Sequence, residues 1–293
     1  MSRVLVTGAS GVAGRLVSRL LAELGHVVRR ADVAPAPPTP ADPTPAGEFV
    51  RCDTRTPADV RAAVAGCDAV VHLAAWHSGH QPPVSDATIF AVNVDGTFNL
   101  VQACREEGIG SVVFASSMAY GWGGVYGVTK VLGEDLWRMY AQVADASVVM
   151  LRYHDFVPKP YLAWGSKLLR NGVDRRDVAD ATVAALRAVL AHRVELFTTI
   201  VHSNHHLPAE VQRDFAAYGP EWCETQVPGS AGLLRRHAIE LPGEVEQHDL
   251  REAERLLGWA PKHDFVEFLT DLARRGAAGV DVASLWALGQ LPD

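Results

Sequence analysis

Tyr126 and Lys130 stand four residues apart, the separation that puts two side chains on one face of a helix. An ammonium beside a phenol stabilises the phenolate and draws a pKa of about 10 toward neutrality. Such a tyrosine can trade a proton with a hydroxyl or carbonyl while the carbon beneath it is oxidised or reduced. Ser116 and Ser117 close an apolar run shortly upstream, and a serine hydroxyl there can hold the same oxygen. The spacing itself is common, and an ordinary amphipathic helix with an exposed Tyr and Lys carries it equally well.

A second group of residues supplies a partner for that chemistry. The run Val-Thr-Gly-Ala-Ser-Gly-Val-Ala-Gly sets Gly8, Gly11 and Gly14 between an apolar strand, Val4–Val6, and a helix from Val12 to Leu24. A strand feeding a glycine turn and a helix N-terminus forms a phosphate cradle, with free N–H groups and partial positive charge facing a pyrophosphate. Plain strand-to-helix packing uses glycine turns too. Asp32 ends the second apolar run, where a carboxylate can accept bonds from both ribose hydroxyls of an adenosine and would repel a 2′-phosphate. That favours NAD, although Arg30, on the same side of the strand, could offset the repulsion and leaves NADP open. A solvated strand-end acid is the alternative for Asp32.

The elements that must hold these residues alternate. Strands are expected at Val4–Thr7, Val27–Asp32, Glu48–Arg51, Ala69–His72, Val112–Ser116 and Val148–Arg152, most of them short continuous apolar runs of the kind buried on both faces of a parallel sheet. Helices are expected at Val12–Leu24, Pro57–Ala65, Asp86–Glu107 and Val125–Val143. Repeated β-then-α units predict an α/β fold, a doubly wound (Rossmann) parallel sheet flanked by helices. The six prolines between Pro35 and Pro45 predict an extended surface loop after the second strand. Beyond Arg152 come a helix at Arg176–Leu190, a strand at Leu196–Val201, a His-, Pro- and Trp-rich stretch, and short helices near Leu250–Leu257 and Phe265–Arg274. The division expected is a dinucleotide-binding core with the Ser/Tyr/Lys set over residues 1–152. Residues 153–293 then hold the remaining core elements and a small, partly irregular substrate lobe.

Composition narrows the class. The chain has 293 residues, 48% of them hydrophobic, with a net charge of -7 and no massed block of Lys and Arg. That balance argues against nucleic acid or an anionic membrane as the main partner. No apolar stretch approaches the ~20 residues of a membrane span. The first strand begins near Arg3, which leaves no room for a cleaved leader, and Cys52, Cys67, Cys104 and Cys223 lack CxxC spacing. Reduced thiols in a cytoplasmic protein are the expectation.

The ordered series TGASGVAG, Asp32, Cys52-Asp53, VVHLAA at Val70–Ala75, NVDGTFNL at Asn93–Leu100, VFASS at Val113–Ser117, YGVTK from Tyr126, and LRY at Leu151–Tyr153 resembles the extended short-chain dehydrogenase/reductase family, the NAD-dependent epimerase/dehydratase group. DRRDVADA at Asp174–Ala181 and LGWAPKHDF at Leu257–Phe265 resemble that family's later signatures. The resemblance implies that Gly8, Gly11 and Gly14, with Ser10 and Val12 in the same turn, bind the pyrophosphate of NAD. It implies that Asp53 and Thr54 meet the adenine side, that Leu73, Ala74 and Ala75 line the nicotinamide ribose, and that Tyr153 also lies on the cofactor. Tyr126 becomes the acid/base, Lys130 binds the ribose and tunes it, and Ser117 is the partner hydroxyl. Asn93 joins the catalytic set by supporting the packing of the active-site helix. A small-molecule substrate would meet Trp76, His77, Ser117, Met118 and His154, and a homodimer is implied through the Asp86–Glu107 and Val125–Val143 helices.

Departures from the family pattern narrow the reaction. Ser117 and Tyr126 are only nine residues apart, a connection that Gly121, Gly123 and Gly124 would let turn. The stretch between Arg152 and DRRDVADA is short, and His154-Asp155 stands where relatives carry an asparagine. These trims remove surface that would hold a nucleotide diphosphate, and Met118-Ala119 cannot supply the acidic pair of a sugar dehydratase. The pattern is similar to the trimmed uronate or aldose dehydrogenases, or to a ketoreductase for a bulky metabolite. The expectation is an NAD(P)-dependent oxidoreductase acting on a secondary alcohol or ketone of a sugar-like molecule. The alternatives are a nucleotide-sugar epimerase and a non-catalytic dinucleotide-binding regulator. Trp76, His77, Trp122 and Trp164 either line a pocket or cap the core. His202, His205 and His206, with His77 and His80, would need three or four members converging to hold zinc; separate surface and pocket histidines, with no metal, are the expectation.

Overall fold

A computed structural model describes residues 1–37, 47–77, 79 and 82–286. Most of the proline run and His80 therefore lie outside the described residues. In chain order the elements are β1 (Arg3–Thr7), α1 (Val12–Glu23), β2 (Val27–Asp32), β3 (Glu48–Arg51), α2 (Pro57–Val64), β4 (Ala69–His72), α3 (Asp86–Phe90), α4 (Gly96–Glu107), β5 (Ser111–Ser117), α5 (Val125–Ala144) and β6 (Ser147–Tyr153). Then follow α6 (Tyr161–Leu168), α7 (Arg175–Leu190), β7 (Leu196–Val201), α8 (Ala209–Arg213), α9 (Phe215–Gln226), α10 (Ser230–Arg236), α11 (Arg251–Leu257) and α12 (Phe265–Ala277).

The strands form one sheet in the order β3-β2-β1-β4-β5-β6-β7. The pairings from β3 through to β6 are parallel. Their central residues are apolar and closed to water, Val4, Leu5 and Val6 among them, because helices cover both faces of such a sheet. Chain order reverses between β1 and β4, and that switch point is where an open α/β sheet leaves a crevice beyond its strand ends. The register lines up the strand ends that matter: Thr7 lies opposite both Ala31 and His72, and Ser117 lies opposite Tyr153. The doubly wound expectation holds, with every anticipated strand present to within a residue.

Two compact units are present. The first comprises residues 1–153, 179–200 and 251–259; the second comprises 154–178, 201–250 and 260–293. The first contains the sheet and a core in which Leu5, Val70, Val112, Phe114, Trp137 and Met150 pack together. The second packs its own apolar centre, with Tyr161, Trp164, Phe215, Phe265, Phe268 and Leu272. The His-, Pro- and Trp-rich stretch carries α8, α9 and α10, and α6 precedes it, all outside the helices that periodicity predicts. Of the two roles open to Trp164, the structure shows the core one, with its ring 5.6 Å from that of Phe268. The LGWAPKHDF segment is tied to DRRDVADA inside the second unit, where Asp177 accepts from the backbone N–H groups of Lys262 at 2.9 Å and His263 at 3.0 Å. No helix among the described residues is long and apolar enough to cross a membrane.

Candidate active site

Gly8 follows β1 at φ +68°, a left-handed conformation that side chains resist. A Cβ there would lie 2.7 Å from the Ala74 backbone nitrogen, and one on Gly14 would lie 2.1 Å from the Gly8 carbonyl oxygen. The turn is therefore drawn tight against both the β4 loop and the first turn of α1. Gly11 caps α1 without any side-chain hydrogen bond, and no acidic residue sits in that first turn. The helix end keeps its N–H groups and partial positive charge for an anion. Asp32 holds the turn from the β2 end, its Oδ2 accepting from Ser10 N at 2.9 Å and its Oδ1 from Val33 N at 2.8 Å. Each oxygen retains a lone pair for a ribose hydroxyl. Arg30 does not offset that carboxylate: its guanidinium rests 5.7 Å from the Phe49 ring centroid and bonds the Gly47 carbonyl. Asp53 is occupied by Arg55, which pairs with both carboxylate oxygens at 2.6–3.2 Å and holds the acid below its ordinary pKa. Thr54 is buried, beside Gly96 at the start of α4.

At the other strand ends the catalytic candidates converge. The Tyr126 hydroxyl faces the Ser117 side chain, and the His77 ring stands edge-on to Tyr126 at 6.2 Å. Lys130 is buried; its Nζ lies 5.6 Å from the Tyr126 ring centroid and donates to the Ala115 carbonyl at 2.9 Å. Burial pushes the Lys130 pKa down to about 8 despite the negative charge of Glu134. Burial also raises the Tyr126 phenol above its ordinary value, against the lowering effect of the Ser117 hydroxyl. The phenol is thus less acidic than expected: burial raises it, and the Lys130 ammonium is bound to a strand carbonyl. Asn93 sits in a π-helical turn, Ala91–Asp95, joining α3 to α4. Its amide bonds both the N–H and the carbonyl of Trp76 at 2.8 Å and donates to Thr129 Oγ1 at 2.9 Å. It ties the β4 loop, which carries Leu73, Ala74, Ala75, Trp76 and His77, to α5.

Several functional neighbours carry little signal in the sequence. His72 is buried with its pKa pushed down to about 3 by desolvation, and bonds Thr7 Oγ1 at 2.7 Å and Thr97 Oγ1 at 3.0 Å. A neutral imidazole there bridges β1, β4 and α4 under the glycine turn. Ser116 points the other way from Ser117 and donates to Glu134 at 2.6 Å. Arg138 and Arg152 close on the same buried carboxylate at 2.7–2.8 Å. Arg152 also lies 3.7 Å over the Tyr120 ring, in the turn between Ser117 and Tyr126. That turn folds as expected, with Gly121 and Gly124 at positive φ.

Other expected site residues sit elsewhere. The Tyr153 ring is buried and its hydroxyl bonds Thr182 Oγ1 at 2.8 Å, so its side chain is committed to the core and only its backbone stands at the strand end. Met118 donates its backbone N–H to the Tyr153 carbonyl at 3.0 Å. Trp122 is exposed. His154 belongs to the second unit, its ring packed on His202 and His248. His205 bonds the Leu168 carbonyl and His206 is exposed, so neither joins His202.

The sequence profile of the NAD dependent epimerase/dehydratase family matches residues 4–160. The chain belongs to that family. A uronate dehydrogenase of Agrobacterium fabrum is 35% identical over 176 residues, covering 55% of this chain and 63% of that protein. The chain thus spans somewhat less than two thirds of that relative's length. Among solved structures, a uronate dehydrogenase variant of Agrobacterium tumefaciens complexed with NAD aligns with a TM-score of 0.64 and 25% identity, covering 94% of this chain and 89% of its own. A UDP-galactose 4-epimerase aligns with a TM-score of 0.64 at 23% identity, over 94% of this chain and 99% of its own, which shows the shared fold. The family thus accounts for the order of motifs from the glycine turn to the end of β6.

Proposed function

We propose that this chain is an NAD-dependent dehydrogenase acting on a secondary hydroxyl of a sugar-like small molecule such as a uronic acid or aldose. The observation that carries the reading is Ser117, Tyr126 and Lys130 gathered where β5 meets α5, in the same unit as the glycine turn. Gly8, Ser10, Gly11, Val12 and Gly14 would hold the pyrophosphate, Asp32 the adenosine ribose, and Thr54 and the backbone around Leu73, Ala74 and Ala75 the remainder. The turn fits that group, because Gly8 and Gly14 let it pack against the Ala74 backbone and the first turn of α1 with no side chain in the way, and the N-terminus of α1 carries neither a side-chain cap nor an acidic residue. Asp32, with Arg30 held on Phe49, supports NAD over NADP. Bound NAD would supply the hydride acceptor.

In this reading Ser117 orients the substrate oxygen and Tyr126 moves its proton, while a hydride leaves the carbinol carbon and a carbonyl forms. The raised phenol pKa keeps Tyr126 protonated near neutrality, ready to give a proton to a carbonyl oxygen. Alcohol oxidation needs the phenolate, so its rate is expected to climb as pH rises above 7. The test is a panel of uronic acids and aldoses, with absorbance at 340 nm. NADH accumulating in step with product supports the dehydrogenase; product without net NADH would instead indicate an epimerase. The compact turn between Ser117 and Tyr126 and the short span from Arg152 to Asp174 favour a substrate smaller than a nucleotide sugar.

Gly14→Ala tests the cradle separately. Its Cβ would lie 2.1 Å from the Gly8 carbonyl oxygen, overpacking of a kind that costs about 2 kcal/mol of stability, so Tm should fall by roughly 4–8 °C and NAD affinity should fall with it in a fluorescence titration. Exposed Phe90, Phe98, Val128, Met139 and Val143 on α3, α4 and α5 support a homodimer through that face. The four free, buried cysteines fit a cytoplasmic location.

A further inference from the structure

We propose that His154, His202 and His248 form a binding site for a divalent transition metal ion of the zinc class. All three belong to the second unit, and the site stands apart from the dinucleotide reading. His154 and His202 are the residues that follow β6 and β7 directly, and His248 arrives from the segment before α11. One ring nitrogen from each lies within 4.8 Å of the other two. The ring centroids are 4.3, 5.0 and 5.2 Å apart, so the three rings converge on a common point.

Geometry and protonation both suit a ligand set. His154 Nε2 and His248 Nε2 are 3.2 Å apart. Two nitrogens bound tetrahedrally at about 2.05 Å would be separated by about 3.3 Å, so that spacing is already the edge of a zinc tetrahedron. His202 Nε2 lies 3.2 Å from the Arg170 carbonyl, which fixes the proton on that nitrogen and leaves the lone pair on Nδ1. That Nδ1 is closed to water and has no hydrogen-bond partner, an unmet need that a cation would satisfy. His202 is 0% and His154 5% exposed. Three imidazoles favour zinc, cobalt or nickel over magnesium or calcium, which take oxygen donors. Three protein ligands also leave a fourth position for water or a carboxylate. The Glu246 carboxylate lies 3.0 Å from His248 Nε2.

The test uses tag-free protein, stripped with a chelator and dialysed, then titrated with Zn²⁺ or Co²⁺. One equivalent per chain is expected by elemental analysis, together with the visible absorption of tetrahedral cobalt and a zinc-dependent rise in Tm. His248→Ala and His202→Gln should each weaken binding at least roughly 100-fold, beyond what loss of an outer partner causes. His206→Ala, at an exposed histidine, should leave it unchanged. His248 lies nearest the surface of the three, so its variant keeps the comparison usable if His202→Gln misfolds. Stoichiometry near zero, or binding and Tm shift preserved in His248→Ala, would overturn the site.

Discussion

Tyr126→Phe is expected to lower turnover roughly a thousandfold, the middle of the range for loss of a positioned proton donor. The variant removes one oxygen from a side chain whose ring is partly exposed at the start of α5. The hydroxyl faces Ser117, and its loss leaves Lys130 bound to the Ala115 carbonyl as before. The glycine turn, Asp32 and the Ala74 backbone are untouched, so NAD affinity should stay within about twofold of the parent. Steady-state rates with the best substrate of the panel, set beside a dinucleotide titration, read the two effects separately. A kcat that survives intact would place proton transfer elsewhere. Equal losses in kcat and NAD affinity would make Tyr126 a structural residue.

Glu134→Ala should destabilise the first unit by about 3 kcal/mol, the lower part of the range for breaking a buried charge network. Glu134 is 0% exposed and takes bonds from Ser116, Arg138 and Arg152. Removing it strands the Arg152 guanidinium, while Arg138 keeps Asp135 at 2.6 Å. Their side chains are 33% and 25% exposed, so water recovers part of the loss. A fall in Tm of roughly 6–10 °C is the corresponding reading. Glu134→Gln keeps the volume and one acceptor and should lose less. Arg152 also lies over Tyr120, in the turn that carries Ser117 toward Tyr126. Destabilisation is therefore expected to come with a lower kcat even where the protein remains folded. An unchanged Tm would mean that the arginines find other partners.

The difference between what the residues announce and what they conceal has a physical basis. Buried parallel strands must be apolar throughout and must be joined by amphipathic helices, so the sheet and its order of elements are readable from local pattern. The glycine turn is readable for the same reason, since left-handed backbone and close approach leave few substitutes for Gly8 and Gly14. The second unit hides its helices. α9 carries Pro220 inside it and α8 and α10 are short, so periodicity is weak there. Polar networks are concealed more deeply. Nothing local marks Glu134 as the acceptor for Ser116 and Arg152, or His72 as a bridge between Thr7 and Thr97. The histidines show this most plainly. His202, His205 and His206 are neighbours in sequence, yet the fold sends His205 to the Leu168 carbonyl and joins His202 to His154 and His248. The spacing of Tyr126 and Lys130 shows that the two are near but not that burial raises the phenol or that a strand carbonyl holds the ammonium.

The most direct measurement is a crystal structure of the protein grown with oxidised NAD. The account predicts a pyrophosphate lying on the backbone of Gly8 to Gly14, ribose hydroxyls within about 3 Å of the Asp32 carboxylate, and a nicotinamide ring facing the Tyr126 hydroxyl. A dinucleotide bound elsewhere on the chain, or a glycine turn still bare at saturating NAD, would contradict it.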